Sequence, residues 1–334
     1  MKCFPVLFAA ILFAASFSTA QQHTKRFEPS AEELAAIIRL GREKEKGGPL
    51  QFEKGNGLRI VMTGHSWVAP GQASLLKIAR GAGLEGHHQR YHSGGGATGS
   101  ANAIWLKEFG KWKNGVEANP ILIPAIATGE WDVMTWGSYY KDKPEYYIQW
   151  IDFCLKHNPE MVFYVQGGWP RFLPEYKTKT PDEILQEMKA LQVSNLEEIY
   201  RPRYEPLEKL YPGKFRMIPT SFAVVELIEQ FYKGELPNLD CIDEKSSGGK
   251  NGIYRDGGHL SRSSGIGHLV GYVYYGMIYR RSPALIKNYK PGNIPADFDR
   301  RMREAAWKAI VDHPLAHIDD ADGDGIGDLD SVAE

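Results

Sequence analysis

The apolar positions along this chain fall into short continuous runs separated by longer stretches of helical period. Leu58-Arg-Ile-Val-Met-Thr63 is an apolar run bounded by Gly57 and Gly64, the signature of a buried strand. Trp131–Trp136 and Met161–Gln166 repeat the pattern, and Phe215–Ile218 makes a fourth. Residues 86–92 (Gly-His-His-Gln-Arg-Tyr-His) form a polar strand fit only for a sheet edge. Between these lie segments whose apolar residues recur every three or four positions. They are Ser74–Arg80, Ala101–Lys111, Glu145–Lys156, Asp182–Leu210 with a break expected near Pro202, Ser221–Lys233, Ser264–Arg280 and Ala296–Val311. An earlier helix is opened by Ser30-Ala-Glu-Glu33, a capping box, and is closed by glycines and lysines near Gly47. Strands alternating with helices predict an α/β protein: a three-layer α/β/α sandwich around a parallel, flavodoxin-like sheet of about five strands.

Composition adds boundaries. Of 334 residues, 43% are hydrophobic and 24% charged, which suits a globular core and excludes a disordered or fibrous chain. Met1-Lys2, the apolar run Cys3–Phe17 and the small residues Ser18 and Ala20 make residues 1–20 a secretory signal peptide; the run is short for a membrane span. Residues 21–57 then read as an N-terminal helical extension, 58–312 as the main domain and 313–334 as an acidic tail. The net charge of −1 gives no reason to expect nucleic acid as a partner. It conceals an asymmetry, since residues 319–334 hold seven acids and no base while residues 21–318 carry +5. After signal cleavage Cys154 and Cys241 remain, and the sequence leaves open whether they pair or stay buried as thiols. The expected location is secreted or periplasmic, with no transmembrane segment once the signal is removed.

In parallel α/β sheets, ligands gather at the carboxyl ends of the strands. After the first strand comes Gly64-His65-Ser66-Trp67, and after the polar one Ser93-Gly-Gly-Gly96-Ala-Thr-Gly99. Trp136-Gly137-Ser138 and Gln166-Gly-Gly-Trp169 follow the next two, and Tyr254-Arg-Asp256-Gly-Gly-His259-Leu-Ser261 leads into a late helix. These are parts for acyl transfer. A serine hydroxyl needs a neighbouring base, for which His259 serves, and Asp256, three residues earlier, can reach back to fix its tautomer. Oxyanion donors are expected from the backbone N–H of Ser66 and one N–H among Gly94–Gly96, because glycine lets backbone approach a ligand closely. Trp67, Trp136 and Trp169 are candidate substrate-binding residues for a sugar face or aromatic acyl group, with core packing as the alternative for each. His87, His88 and His92 do not share a face of their strand and are not expected to bind metal.

The block Ile60-Val-Met-Thr-Gly64-His65-Ser66, together with Asp256-x-x-His259-Leu-Ser, resembles the SGNH/GDSL hydrolases, over roughly residues 58–280. Within that superfamily the chain looks most like a secreted, largely uncharacterised bacterial branch found with polysaccharide degradation. The resemblance implies a flavodoxin-like esterase fold with Ser66 as nucleophile, His259 as base and Asp256 as its orienter. It implies Ser66 and Gly95 in the oxyanion hole, with Gly94 and Gly96 left open. Two departures stand out. His65 replaces the aspartate of the Gly-Asp-Ser block, and no asparagine follows the third strand, where Ser138 or Gln166 is a possible substitute.

The tail Asp320-Ala-Asp322-Gly-Asp324-Gly325-Ile-Gly-Asp328 places acids at positions 1, 3, 5 and 9 with glycine at 6, most of a calcium loop. Position 12 is Ser331 rather than an acid. A structural Ca2+ held by Asp320, Asp322, Asp324 and Asp328 is the expectation, resembling a thrombospondin type-3 or dockerin half-loop; no cofactor is expected for catalysis. The sequence therefore points first to a secreted serine esterase removing O-acyl, most simply O-acetyl, groups from a carbohydrate ester through an acyl-enzyme. The alternatives are an esterase or lipase for small lipidic or aryl esters, and a non-catalytic carbohydrate-binding protein of the same fold.

Overall fold

The structure is a computed structural model that describes residues 27–45, 52 and 55–329; the expected signal peptide lies outside them. Five strands form one parallel sheet: β1 (Arg59–Gly64), β2 (His88–Ser93), β3 (Val133–Gly137), β4 (Val162–Gln166) and β5 (Phe215–Ile218). Their spatial order is β2-β1-β3-β4-β5, the flavodoxin-like order, which places its switch point between β1 and β3. The polar strand β2 lies at the edge, as its composition requires.

Alternation within the strands creates two cores. Ile60 and Met62 of β1, with Tyr164 of β4 and Ile218 of β5, face one side. They pack against α2 (Ala69–Gly81), α8 (Thr220–Tyr232), α10 (Gly267–Tyr279) and α11 (Ala296–Val311). Val61, Met134, Trp136, Phe163 and Met217 face the other side. There they meet α1 (Ala31–Lys44), α3 (Ala101–Glu108), α4 (Leu122–Ile126), α5 (Pro144–His157) and α7 (Arg201–Leu210). The architecture is the expected three-layer α/β/α sandwich. The Ser30–Glu33 capping box is present, and α1 docks on the body through buried Ile37. Its Gly41 is so close to Pro124 that an added Cβ would sit 2.0 Å from the ring.

The long helical run after residue 181 does not break at Pro202. It passes from α6 (Pro181–Ser194) through a π-helical turn, Asn195–Tyr200, directly into α7. Proline has no N–H to donate to the carbonyl four residues back. The wider turn accommodates this by letting Arg201 N–H bond the Leu196 carbonyl, five residues back.

Several small elements escaped the sequence pattern. The strands β6 (Cys241–Asp243) and β7 (Gly252–Tyr254) pair in parallel around α9 (Glu244–Ser247). A two-residue antiparallel pair, β8 (Ile318–Asp319) and β9 (Asp328–Leu329), brackets the acidic loop. The body does not end at residue 312: Leu315, Ala316 and Ile318 are core residues, and the Leu315 carbonyl accepts from Met217 N–H of β5 at 2.8 Å. Cys154 and Cys241 are both buried free thiols. Among the described residues no helix is long and apolar enough to cross a membrane.

Candidate active site

The switch point between β1 and β3 opens onto a cleft of about 680 Å³ lined by Ser66, Asp256 and His259. Ser66 stands on the turn joining β1 to α2, a strand–turn–helix arrangement that exposes its hydroxyl. Gly64 makes that turn possible. Its φ is +151°, and a Cβ there would lie 2.5 Å from Val68 Cγ2 and 3.0 Å from Gly137 N. The two central strands can therefore come together directly beneath the serine only with glycine at this position.

Asp256 and His259 share one tight turn between β7 and α10. Arg255 N–H bonds the His259 carbonyl at 2.8 Å, and Gly257, at φ +72°, leaves room for the carbonyl of Phe172, 2.7 Å from where a Cβ would be. Asp243 of β6 accepts the Gly257 N–H, and the Trp169 indole N–H donates to the Gly258 carbonyl at 2.9 Å. This scaffold brings together the three groups singled out in the sequence. Ser66 Oγ is 2.9 Å from His259 Nε2, and His259 Nδ1 is 3.0 Å from both carboxylate oxygens of Asp256.

The electrostatics suit a proton relay. Partial burial pushes the Asp256 carboxyl up, but its hydrogen bonds more than reverse this and hold it well below the usual carboxylate range. The donors are the His259 backbone, the Arg255 guanidinium, the His259 ring and the Gly258 N–H. Asp256 is thus an anion that orients the ring with Nδ1 protonated, leaving Nε2 to accept from Ser66. His65 is not a second base. Burial lowers its pKa, its Nε2–H donates to the Ser138 carbonyl at 3.0 Å, and its Nδ1 accepts the Trp67 N–H at 3.4 Å. It ties the nucleophile turn to the loop after β3.

Oxyanion donors are narrowed. Among the described residues, the Ser66 N–H donates no hydrogen bond. Gly94 N–H is committed to the Gly64 carbonyl at 2.9 Å. Gly96, with φ +50°, lines the cleft, whereas Gly95 is extended and lies off its wall. Of the glycines left open by the sequence, Gly96 is therefore the one that borders the cleft. The two suggested replacements for the missing asparagine are held differently: Ser138 lines the cleft and its hydroxyl only accepts among the described residues, whereas Gln166 is buried and engaged at both ends. Ser138 Oγ accepts from Arg203 and Tyr204, at 3.2 and 2.9 Å. Gln166 spans the Tyr274 hydroxyl and the Trp67 carbonyl, bracing the nucleophile turn from below. Asn195, on the π-helical turn, also lines the cleft; within the long helical run of residues 182–210 only the pair of prolines hinted at a special turn there.

The tryptophans divide. Trp67 and Trp169 stack face to face, ring centroids 4.9 Å apart, and both contribute to the cleft wall. Trp136 does not. It belongs to β3 itself, is fully buried, and packs against Tyr147 and Phe163 with centroids 5.5 and 5.9 Å away. Its side chain points to the second core because it is in register with Met134, two residues earlier, so the substrate role expected for it is withdrawn. Tyr139 and Tyr140, from the loop after β3, supply aromatic surface in its place.

In the tail, carboxylate oxygens of Asp320, Asp322 and Asp324 lie within 4.8 Å of one another. Asp328 is outside that group, on β9 opposite Asp319. The loop packs near the C-terminal ends of α10 and α11, where Trp307 Nε1 donates to Asp320 at 2.6 Å and Gly327 N–H to the Arg280 carbonyl at 2.9 Å. That is the end of the sheet opposite the serine, since Tyr279, at the close of α10, donates nothing to the site and instead accepts the N–H of Leu58 before β1. Two histidines at β2 hold separate partners, His87, just before the strand, with Tyr279 and His92, within it, with Glu108.

No family model matches the chain, and no curated protein matches it. Among solved structures it is similar to the 1.50 Å crystal structure of a DUF4886 family protein from Bacteroides uniformis ATCC 8492. The likeness is distant: 14% identity over 76% of this chain and 95% of that chain, with a TM-score of 0.44.

Proposed function

We propose that the chain is a serine esterase of the SGNH type, exported from the cell by residues 1–20, that removes O-acyl groups, most simply O-acetyl, from carbohydrate esters. The observation that carries this reading is the Ser66–His259–Asp256 chain of hydrogen bonds, 2.9 and 3.0 Å, facing an open cleft. In the proposed cycle His259 Nε2 takes the Ser66 proton as Oγ adds to the ester carbonyl. The negative charge that develops on the carbonyl oxygen falls to the N–H groups of Ser66 and Gly96, donors commonly worth about 2.7–4 kcal/mol each. The imidazolium then protonates the departing sugar hydroxyl, the C–O bond breaks, and an acyl-Ser66 remains. Water, deprotonated by the same nitrogen, attacks the acyl carbon, and the proton returns to Oγ as the acid leaves. Trp67, Tyr139 and Tyr140 supply the aromatic faces on which a sugar ring packs.

The tail is proposed as a structural calcium site formed by Asp320, Asp322 and Asp324, with no part in the chemistry. The esterase reading is tested by 4-nitrophenyl acetate hydrolysis in wild type and Ser66→Ala. Turnover in wild type that is abolished in the variant is expected; equal rates in both proteins, or none in wild type, refute it.

A further inference from the structure

The proton relay stands on a ridge between two clefts. Beyond the first, a second cleft of about 520 Å³ lies on the other side of Ser66 and His259 and shares Trp67 and Trp169 with it. An ester has two ends, and attack at its carbonyl sends the acyl and alcohol portions in different directions. Two clefts meeting at the nucleophile suit a long substrate laid across the ridge.

The charge in these clefts is one-sided. Lys77, Arg255 and Arg262 lie along the second cleft, and Arg171 and Lys245 along the first. Against these five cations the walls hold one acid, Asp256, already engaged by Arg255 and His259. Among the described residues, Lys77, Arg171, Lys245 and Arg262 form no ion pair. Some other cations of this surface are paired, as Arg59 is with Asp132 and Arg301 with Asp297, and some are not, so what marks the two clefts is the near-absence of acids from their walls. Residues 21–318 carry +5, and five of their cations against a single acid line these two clefts. A concave wall of one sign concentrates ligands of the other. A neutral glycan gains nothing from four unpaired cations, whereas a polyanion neutralises them.

We propose that the ester-bearing substrate is an anionic glycan, its carboxylate or sulfate groups lying against Arg171 and Lys245 on one side of Ser66 and against Lys77 and Arg262 on the other. This deepens the esterase reading and rests on it. Nucleic acid is the less favoured polyanion, because its backbone offers Ser66 no carboxylic ester to cleave.

The test has two arms, both with the full chain. In the first, kcat/KM is compared on acetylated polygalacturonate and acetylated glucomannan at 50 and 500 mM NaCl. The expected result is at least a tenfold preference for the acidic polymer, shrinking at least fivefold in high salt as exposed charges are screened. Lys77→Gln/Arg262→Gln is expected to lower the ratio of polymer to 4-nitrophenyl acetate turnover at least tenfold. A preference below twofold, or one insensitive to salt, overturns the proposal. In the second arm, Ser66→Ala is run by affinity electrophoresis through gels containing polygalacturonate, dextran sulfate, glucomannan or polyuridylate. Retardation by the uronate or the sulfated polymer, and not by glucomannan, supports the anionic clefts and tells carboxylate from sulfate. No retardation by either, or equal retardation by polyuridylate, overturns them. If wild type fails on 4-nitrophenyl acetate while Ser66→Ala still binds the acidic polymers, the esterase reading falls and the anionic site stands.

Discussion

Replacing Asp256 by asparagine keeps the shape of the relay and removes its charge. In the native turn one carboxylate oxygen accepts the backbone N–H of His259 at 2.9 Å and of Gly258 at 3.3 Å, while the other accepts from Arg255 at 3.0 Å. Both lie 3.0 Å from His259 Nδ1. An asparagine has one acceptor where the carboxylate had two, and the two backbone donors claim it. Its amide NH2 then occupies the second position, facing the ring and the guanidinium, where it can donate to Nδ1. The favoured tautomer carries its proton on Nε2, toward Ser66, where a base is required, and no anion remains to stabilise an imidazolium.

An error of this kind costs about 10⁴-fold in kcat, or about 5.5 kcal/mol of barrier, where the acid is fully buried. The Asp256 side chain is 32% exposed, so water screens part of the lost charge. The expected loss is therefore about 10³–10⁴-fold, about 4–5.5 kcal/mol. The assay is 4-nitrophenyl acetate turnover alongside the rate of inactivation by a sulfonyl fluoride, which reports Ser66 nucleophilicity without deacylation; thermal melting confirms the fold. Both rates should fall in parallel. A loss under tenfold in each, with the melting temperature unchanged, refutes Asp256 as the orienting acid.

Trp136→Ala empties a fully buried site against Tyr147 and Phe163 and should cost about 3–5 kcal/mol in denaturant titration. Trp67→Ala, on the cleft wall, should instead raise KM for a glycan ester; the reverse pattern would restore Trp136 to the site. Burial, with positive charge from Arg201 and His317 adding to it, holds the His313 imidazole down to about 3, and its Nδ1 accepts the Leu315 N–H at 3.2 Å. An unfolded imidazole titrates near 6.5, so the unfolded chain takes up the proton first and stability is lost as pH falls from about 6.5 toward 3. At pH 5 that loss is about 2 kcal/mol, and His313→Asn, which keeps an acceptor, should remove it from the difference between unfolding curves at pH 7 and pH 5; identical differences in the two proteins contradict the assignment. For the tail, 10 mM Ca2+ acting on a site of about 10⁻⁴–10⁻³ M affinity adds about 1.4–2.7 kcal/mol. The melting temperature should then rise by a few degrees, less so with Mg2+ and not at all in Asp322→Ala/Asp324→Ala; a calcium shift that survives in the variant places the ion elsewhere.

The strands were legible because sheet burial leaves a direct mark, a short apolar run on the inner strands and a polar one at the edge. The helices were legible by period. Ser66 was legible because it follows a strand of the main sheet, whereas Asp256 and His259 were legible as an Asp-x-x-His block before a late helix, the short β7 that precedes them having left no mark in the sequence. What stayed hidden was whatever depended on a single residue of register or on a small element. Gly95 and Gly96 are indistinguishable as letters, and only the fold shows that Gly96 rather than Gly95 borders the cleft. Trp136 was read as the last residue of its strand, opening the loop, when β3 runs on through Gly137, and its side chain belongs to the core face with Met134 rather than to the cleft. The cations of the two clefts come from α2, α9, the loop after β4 and the turn before α10; nothing in sequence spacing unites them.

His65, after β1, and Ser138, after β3, are far apart along the chain. In the fold they are the two partners of one hydrogen bond, His65 Nε2 to the Ser138 carbonyl at 3.0 Å. An aspartate at 65 would set an acceptor against that acceptor, whereas a neutral buried imidazole donates to it. Ser138 is held from its other side by Arg203 and Tyr204 of α7, the helix that the π-helical turn re-aims. The loop after β3 is thus fixed between the nucleophile turn and α7, at the switch point, and Asn195 enters the cleft from that same turn. The Ser66 turn, the loop after β3 and α7 therefore form one connected wall, braced independently of the Ser66–His259–Asp256 hydrogen bonds that face the same cleft.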